Sequence, residues 1–196
     1  SALDSNGYPH VAYWAQERYL RYAWWDGGEW QMETISDSSL FDSQWVSLVL
    51  DANDHPLIIY RKNPSSSSNE LQYAHRDTNG WVSSRIATDI RASDMGLDAQ
   101  GRVHVAFVQL AYLGIGGYCR ECSWAIRHAY WDGTDWSIQT VDEFDVDLYT
   151  YKSLSMALDN AGGPHVVYAV SNDATHKILL KYARWTGNAW EVSDVL

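Results

Sequence analysis

One eleven-residue phrase is written four times in this chain of 196 residues: LRYAWWDGGEW at 20–30, LQYAHRDTNGW at 71–81, IRHAYWDGTDW at 126–136 and LKYARWTGNAW at 180–190. The copies align without a gap. A second phrase precedes each of them: ALDSNGYPHVAY (2–13), VLDANDHPLIIY (49–60), GLDAQGRVHVAF (96–107) and ALDNAGGPHVVY (157–168). Its Leu-Asp pairs are spaced by 47, 47 and 61 residues. A period near 47 residues belongs to solenoids and propellers, whose units cannot bury their faces alone.

Inside each unit the pattern is that of strands. Val11-Ala12-Tyr13, Leu57-Ile58-Ile59-Tyr60 and Val166-Val167-Tyr168 are short runs rich in β-branched and aromatic residues. Asp-Ser-Asn-Gly at 4–7 and Asp-Gly-Gly at 26–28 read as hairpin turns. No window keeps apolar residues at i, i+3, i+4 and i+7 over three turns, so helices are not supported. Unit one resolves into a strand ending at Leu3 and strands at 9–14, 20–25 and 30–35. Four antiparallel strands repeated radially make a propeller blade. The expected fold is therefore an all-β β-propeller in one domain, 1–196. Its four tandem four-stranded blades lie near 1–45, 46–91, 92–151 and 152–196. The repeat tryptophans Trp30, Trp81, Trp136 and Trp190 are expected to pack between blades.

The pattern LDxxGxPHVxY…LxYAxWDGxxW resembles the tandem blade repeats of extracellular bacterial β-propeller proteins. The Asp-Gly-x-x-Trp turn is similar to a degenerate Asp-box of sialidase-like propellers. The resemblance covers essentially the whole chain and implies a fold more firmly than a function. Sialidase-like chemistry would require three arginines around a carboxylate, a Tyr nucleophile with a Glu beside it, and an Asp acid. No unit matches that set residue by residue, and the strict S-x-D-x-G-x-T-W box is absent.

Charge and chain ends bound the partners. With 25 acidic against 14 basic residues the net charge is −11, which repels phosphate backbones and anionic membranes alike. Nucleic acid is therefore excluded as a partner. No apolar run approaches a bilayer span, and no membrane insertion is expected. The first unit opens partway into a strand, which suggests a segment of a secreted precursor at an extracellular or cell-surface location. Three closures suit four blades: a four-blade ring, an arc completed by further sequence, or two arcs paired as a homo-oligomer. The four-blade ring is narrowly favoured.

Turns of fixed length serve a fold, whereas connections of variable length are where binding is usually built. The turns within the two repeated phrases hardly vary. The second-to-third strand connections run 7, 11, 19 and 12 residues, and the crossings between blades vary too. That variable face supplies the candidate ligand-binding residues Glu17, Arg18, Tyr19, Asp42, Trp45, Arg61, Tyr118, Arg120, Trp124, Tyr149, Tyr151 and His176. Rings suit the apolar face of a sugar, and charged groups suit its hydroxyls. The alternative is that these aromatics only seal the blade tops.

Other constellations read as structural. His10, His104 and His165 share one register that also accepts Leu57, so each is expected to bond a neighbouring blade. His128 stands where other units carry Tyr22, Tyr73 and Tyr182, a packing substitution. Cys119 and Cys122 lack the further ligands of a zinc site, and a loop disulfide is expected over a free pair or a metal site. Asp142, Asp145 and Asp147 offer oxygens to Ca²⁺ without the spacing of a dedicated loop. No catalytic residue and no metal-ligand set is nominated. The leading expectation is a non-catalytic module binding a glycan or a protein. The alternatives are a self-assembling extracellular repeat and a glycoside hydrolase or lyase of sialidase-like type.

Overall fold

The computed structural model describes residues 1–15, 19–36, 45–65, 68–110, 123–144, 153–172 and 177–195. The chain divides into two compact units, Ser1–Asp89 and Ile90–Leu196. Each contains two four-stranded antiparallel sheets whose strands follow one another in sequence order. In unit 1 the first sheet is β1 (Ala2–Leu3), β2 (Pro9–Trp14), β3 (Leu20–Trp25) and β4 (Trp30–Ser36). The second is β5 (Val46–Leu50), β6 (Pro56–Ser65), β7 (Ser68–Asp77) and β8 (Gly80–Thr88). In unit 2 the third sheet is β9 (Ile90–Leu97), β10 (Val103–Leu110), β11 (Trp124–Trp131) and β12 (Trp136–Phe144). The fourth is β13 (Leu154–Leu158), β14 (Pro164–Asn172), β15 (Lys177–Trp185) and β16 (Trp190–Asp194).

The Leu-Asp pair has a mechanical explanation. In each copy the Asp side chain folds over the first hairpin and accepts two backbone N–H groups. Asp4 Oδ1 takes those of Asn6 and Tyr8 at 2.9 and 2.7 Å, and Asp51 Oδ1 takes those of Asn53 and His55 at 2.8 Å each. Asp98 and Asp159 repeat the arrangement with Gln100 and Arg102, and with Ala161 and Gly163. Such an Asx turn satisfies donors that a two-strand hairpin leaves unpaired. Three residues after each Asp the backbone takes positive φ, at Gly7, Asp54, Gly101 and Gly162. The second turn uses the same device: Asp26 Oδ1 accepts from Gly28 and Glu29, and Asp132 Oδ1 from Thr134 and Asp135.

The sheets of each unit bury their faces against one another. In unit 1, Leu20, Tyr22 and Ile35 of the first sheet close on Leu48, Ile58, Tyr60 and Ala74 of the second. In unit 2, Ala106, Val108 and Ile126 of the third sheet meet Met156, Val166, Tyr168 and Val170 of the fourth. Two of the four repeat tryptophans lie at these junctions. Trp81 stands edge-on to Tyr22 at 5.5 Å and donates its Nε1–H to Glu33 at 2.9 Å. Trp190 stands edge-on to His128 at 5.3 Å and donates to Gln139 at 3.3 Å.

Two expectations change. Trp30 is 49% exposed and pairs with Trp25 of its own sheet. Trp136 also meets a ring of its own sheet, Trp131. Both belong to the first sheet of a unit, which has no preceding sheet in that unit to receive the ring. The third sheet begins at Ile90, close to the expected blade boundary, directly after Asp89 with its φ of 58°. Its N–H returns to the carbonyl of Asn69 at 2.9 Å. Finally, the register histidines bond within their own blades. His10 pairs across the strands with Trp24, which brings its Nδ1 to the Tyr22 hydroxyl one pleat away. His165 meets Tyr182 in the same way at 2.6 Å.

The turn-forming carboxylate gives a direct test. Replacing Asp51 by Ala strands two backbone donors and is expected to destabilise the chain by about 1–2 kcal/mol in urea titration. Asp51→Asn keeps the Oδ1 acceptor and is expected to lose less than half as much. Equal losses for the two variants would mean that the turn does not depend on that oxygen.

Candidate functional site

Unit 2 contains a cavity of about 460 Å³ at the end of its blades where the fixed-length turns lie. It opens between the third and fourth sheets. Arg102, His104, His128, Tyr130 and Gln139 form one wall, and Asp159, Gly162, Pro164, Trp185 and Thr186 form the other. That volume lies within the roughly 300–1,000 Å³ of small-molecule sites.

Comparison of the repeats accounts for the opening. In unit 1 two bridges span the corresponding place. Asp54 accepts the N–H and the hydroxyl of Ser5 at 2.9 and 2.6 Å, tying the first turns of the two sheets together. Arg76 reaches Glu33 at 3.0 Å, tying β7 to β4. In unit 2 the positions matching Asp54, Arg76 and Glu33 are Gly162, Trp185 and Gln139. Both bridges are thereby replaced, and all three substitutes line the cavity. At Gly162 (φ 82°) an added Cβ would come within 3.2 Å of the Cβ of Asp98, so the two turns approach as closely as glycine permits.

A chain of hydrogen-bonded groups supports the first wall. The fully buried Asp98 carboxylate accepts Nε–H of Arg102 at 2.6 Å and faces His104 Nε2 at 3.3 Å. Nδ1 of His104 lies 3.0 Å from Nε2 of His128. Since His104 donates through Nε2 to the carboxylate, its Nδ1 accepts, and His128 must donate through Nε2. His128 Nδ1 is then an acceptor, buried and without a partner among the described residues. Tyr130 stacks on both imidazoles, 6.0 Å from His104 and 6.2 Å from His128. On the other wall, Trp185 leans on Trp190 at 5.6 Å, and Asp159 Oδ2 lies 3.4 Å from His165.

These surroundings fix the charges. Burial works to raise the Asp98 carboxyl, but the backbone N–H and guanidinium of Arg102, the N–H of Gln100 and His104 together hold it below the usual carboxylate range. Asp159 is also held low, first by the N–H of Gly163 and then by His165. Burial lowers His104 despite Asp98 beside it. Burial, and secondarily the charge of His104, push His128 down to about 3. Both carboxylates are therefore ionised and both imidazoles neutral at pH 7.

The residues nominated on the variable face are only partly visible. Trp45 accepts the N–H of Arg61 through its carbonyl at 3.5 Å, so those two lie together beside β5, and Arg61 Nε donates to Asn63 at 3.1 Å. The Tyr19 carbonyl accepts from Ala15 and closes the β2–β3 connection. In unit 2 the Arg91 guanidinium sits 5.4 Å over the ring of Trp124. Asp142 braces the two sheets of unit 2, taking the Tyr168 hydroxyl at 2.6 Å and Lys181 at 2.9 Å. Glu17, Arg18, Asp42, Tyr118, Arg120, Tyr149, Tyr151 and His176 lie outside the described residues, as do Cys119, Cys122, Asp145 and Asp147.

The cavity residues were missed because repeat membership was read as structural duty. The available signal was chemical rather than metric: Asp54 against Gly162, Glu33 against Gln139 and Arg76 against Trp185.

No family model matches the chain, and no curated protein does. Solved structures do. A polysaccharide lyase of family PL25, an ulvan lyase, superposes with a TM-score of 0.64 at 16% identity over 99% of this chain and 57% of its own. It has also been solved bound to -[GlcA(1-4)Rha3S]-. A protein of unknown function from Dyadobacter fermentans gives a TM-score of 0.64 at 12% identity over 97% of this chain and 66% of its own. AofleA from Arthrobotrys oligospora gives 0.58 at 15% identity, over 96% and 53%. This chain thus spans little more than half the length of the lyase. At such identities the likeness is one of fold, and the fold class is the all-β propeller class.

His128 supplies a pH test. Its folded pKa is depressed from the ordinary 6.5, so its contribution to stability is complete above 6.5 and is lost as pH falls towards 3. One proton taken up on unfolding gives a slope of up to about 1.4 kcal/mol per pH unit. His128→Tyr restores the residue of the other three repeats, which carry Tyr22, Tyr73 and Tyr182. Urea titrations between pH 6.5 and 4 are expected to show a flatter profile for this variant. An unchanged slope would show that His128 is not the neutral buried group.

Proposed function

We propose that the chain is a non-catalytic carbohydrate-binding module of the propeller class, and that the unit 2 cavity is its site. The single observation that carries this reading is the replacement of both unit 1 bridges by an aromatic ring, an amide and a glycine around a cavity of about 460 Å³. Trp185 and Tyr130 offer flat apolar surfaces, while Asp159, Gln139, Thr186 and Arg102 offer hydrogen-bonding groups around them. Apolar ring faces interleaved with placed polar groups on a concave wall suit a sugar, which presents C–H faces and hydroxyls together. A fold shared with an enzyme solved on an oligosaccharide supports a carbohydrate as the ligand in the broad sense, though not the anionic kind of sugar which that enzyme holds.

The charges favour binding over cleavage. A two-carboxylate glycosidase needs one carboxyl kept protonated as general acid. Asp159, the one carboxylate among the lining residues, is held ionised, as is Asp98 buried behind Arg102. A lyase acting on a uronate needs positive charge for the substrate carboxylate, and the Arg102 guanidinium is already paired with Asp98. We further propose an extracellular setting, in keeping with the resemblance of the repeats to extracellular bacterial propellers.

The test restores a unit 1 bridge in unit 2. Gln139→Glu combined with Trp185→Arg reproduces the Glu33–Arg76 pair across the cavity. Wild-type protein is expected to retain glycans on an array and in calorimetry. The double variant is expected to bind at least ~10-fold more weakly, about 1.4 kcal/mol, while melting cooperatively. Undiminished binding by the double variant would move the site elsewhere, with the variable face the first place to look.

A further inference from the structure

We infer that the cavity selects uncharged pyranoses and rejects sugars bearing carboxylate or sulfate, with Trp185 under the ring and Asp159 as the acceptor that enforces the choice. This rests on the reading of the cavity as a glycan site and adds the chemical class of the glycan.

The charged groups facing the cavity are few. Arg102 is its one cation among the lining residues, and its Nε–H is given to a fully buried carboxylate at 2.6 Å. That pair carries no net charge, and the terminal N–H groups of Arg102, whose side chain is 49% exposed, are left as donors to ligand hydroxyls. The two imidazoles are neutral: both are buried, which disfavours the charged ring, and their 3.0 Å contact leaves room for a proton on only one of the two facing nitrogens. Asp159 remains. One of its oxygens is occupied by the N–H groups of Ala161 and Gly163 at 2.8 Å each. The other lies 3.4 Å from His165, and the side chain is 44% exposed. It can accept a sugar hydroxyl as a charge-assisted hydrogen bond. Against a ligand carboxylate or sulfate it would instead set like charges side by side, in a protein whose net charge is already −11.

The repeat comparison sharpens the point. Unit 1 carries Arg76 where unit 2 carries Trp185. An anion site would gain from keeping that guanidinium once its partner Glu33 is replaced by Gln139. The cation has gone as well, and an indole takes its place. An indole face suits the C–H surface of a pyranose.

Matched glycosides differing only at C6 test this: methyl β-D-glucopyranoside against its glucuronide, with the corresponding galacto and manno pairs. Binding to the whole chain is followed by NMR on the Trp185 and Trp190 indole signals. In a pair that binds, the neutral member is expected to bind at least ~10-fold more tightly. Asp159→Asn keeps the turn acceptor and removes the charge, and is expected to shrink that ratio several-fold without abolishing neutral binding. A uronate that binds as well as its neutral partner, or an unchanged ratio in Asp159→Asn, would overturn the inference and leave the cavity as a glycan site. If no member of any pair moves the Trp185 signal, the glycan reading of the cavity falls and this inference with it.

Discussion

The carboxylate that begins each first hairpin is the interaction on which the rest of each blade depends. In every copy it captures two backbone N–H groups of its own turn. In three copies its second oxygen also faces a histidine of the next strand, at 3.7 Å for His10, 3.3 Å for His104 and 3.4 Å for His165. The histidine then meets a hydroxyl or imidazole on the third strand. One side chain thus couples turn, second strand and third strand through groups that would otherwise be unsatisfied, and buried polar groups left unsatisfied are expensive.

That coupling explains why the fold was legible in the sequence. A carboxylate that must reach two particular N–H groups allows no insertion within its turn, so the Leu-Asp phrase keeps its length. The strands follow from it: the second and third strands of the first blade begin and end where the alternation of 9–14 and 20–25 places them. What the sequence could not state was which sheet packs on which within a unit. Trp30 and Trp136 occupy the same repeat position as Trp81 and Trp190, yet only the latter two have a preceding sheet within their own unit to meet. Identical residues at identical positions diverge in role because their neighbours differ, and a neighbour is a property of the packed unit.

The histidines show the same limit from the other side. Acceptance of Leu57 at their register implied a structural position, and the structural role stands for His10 and His165. The partner was misassigned to a neighbouring blade because strand register, which sets the diagonal contact to Tyr22 or Tyr182, is not visible in an alignment of copies. At His128 the substitution for tyrosine carries more than packing. It turns a hydroxyl that donates to histidine into a second imidazole, with an acceptor left unpaired and a proton affinity far below normal. A buried acceptor without a partner among the described residues costs stability, at the blade where the cavity opens.

Length and chemistry are separate signals in a repeat. The variable connections drew attention because their lengths differ, whereas the two turns at the opposite end keep their lengths and were assigned to the fold alone. Yet constant length there is demanded by the backbone hydrogen bonds of the Asx turn, which leave the outward side chains free to change. Ser5 and Asp54 can tie a pair of turns by hydrogen bonds, or Ala99 and Gly162 can leave them untied, with no change of register. A rigid turn is the better place for a binding group, since its geometry is set before the ligand arrives and less ordering entropy is lost on binding. On this chain the positions that vary in chemistry while holding their length gather at one cavity. That coincidence at Gly162, Trp185 and Gln139, rather than loop length, is the ground for the site proposed here.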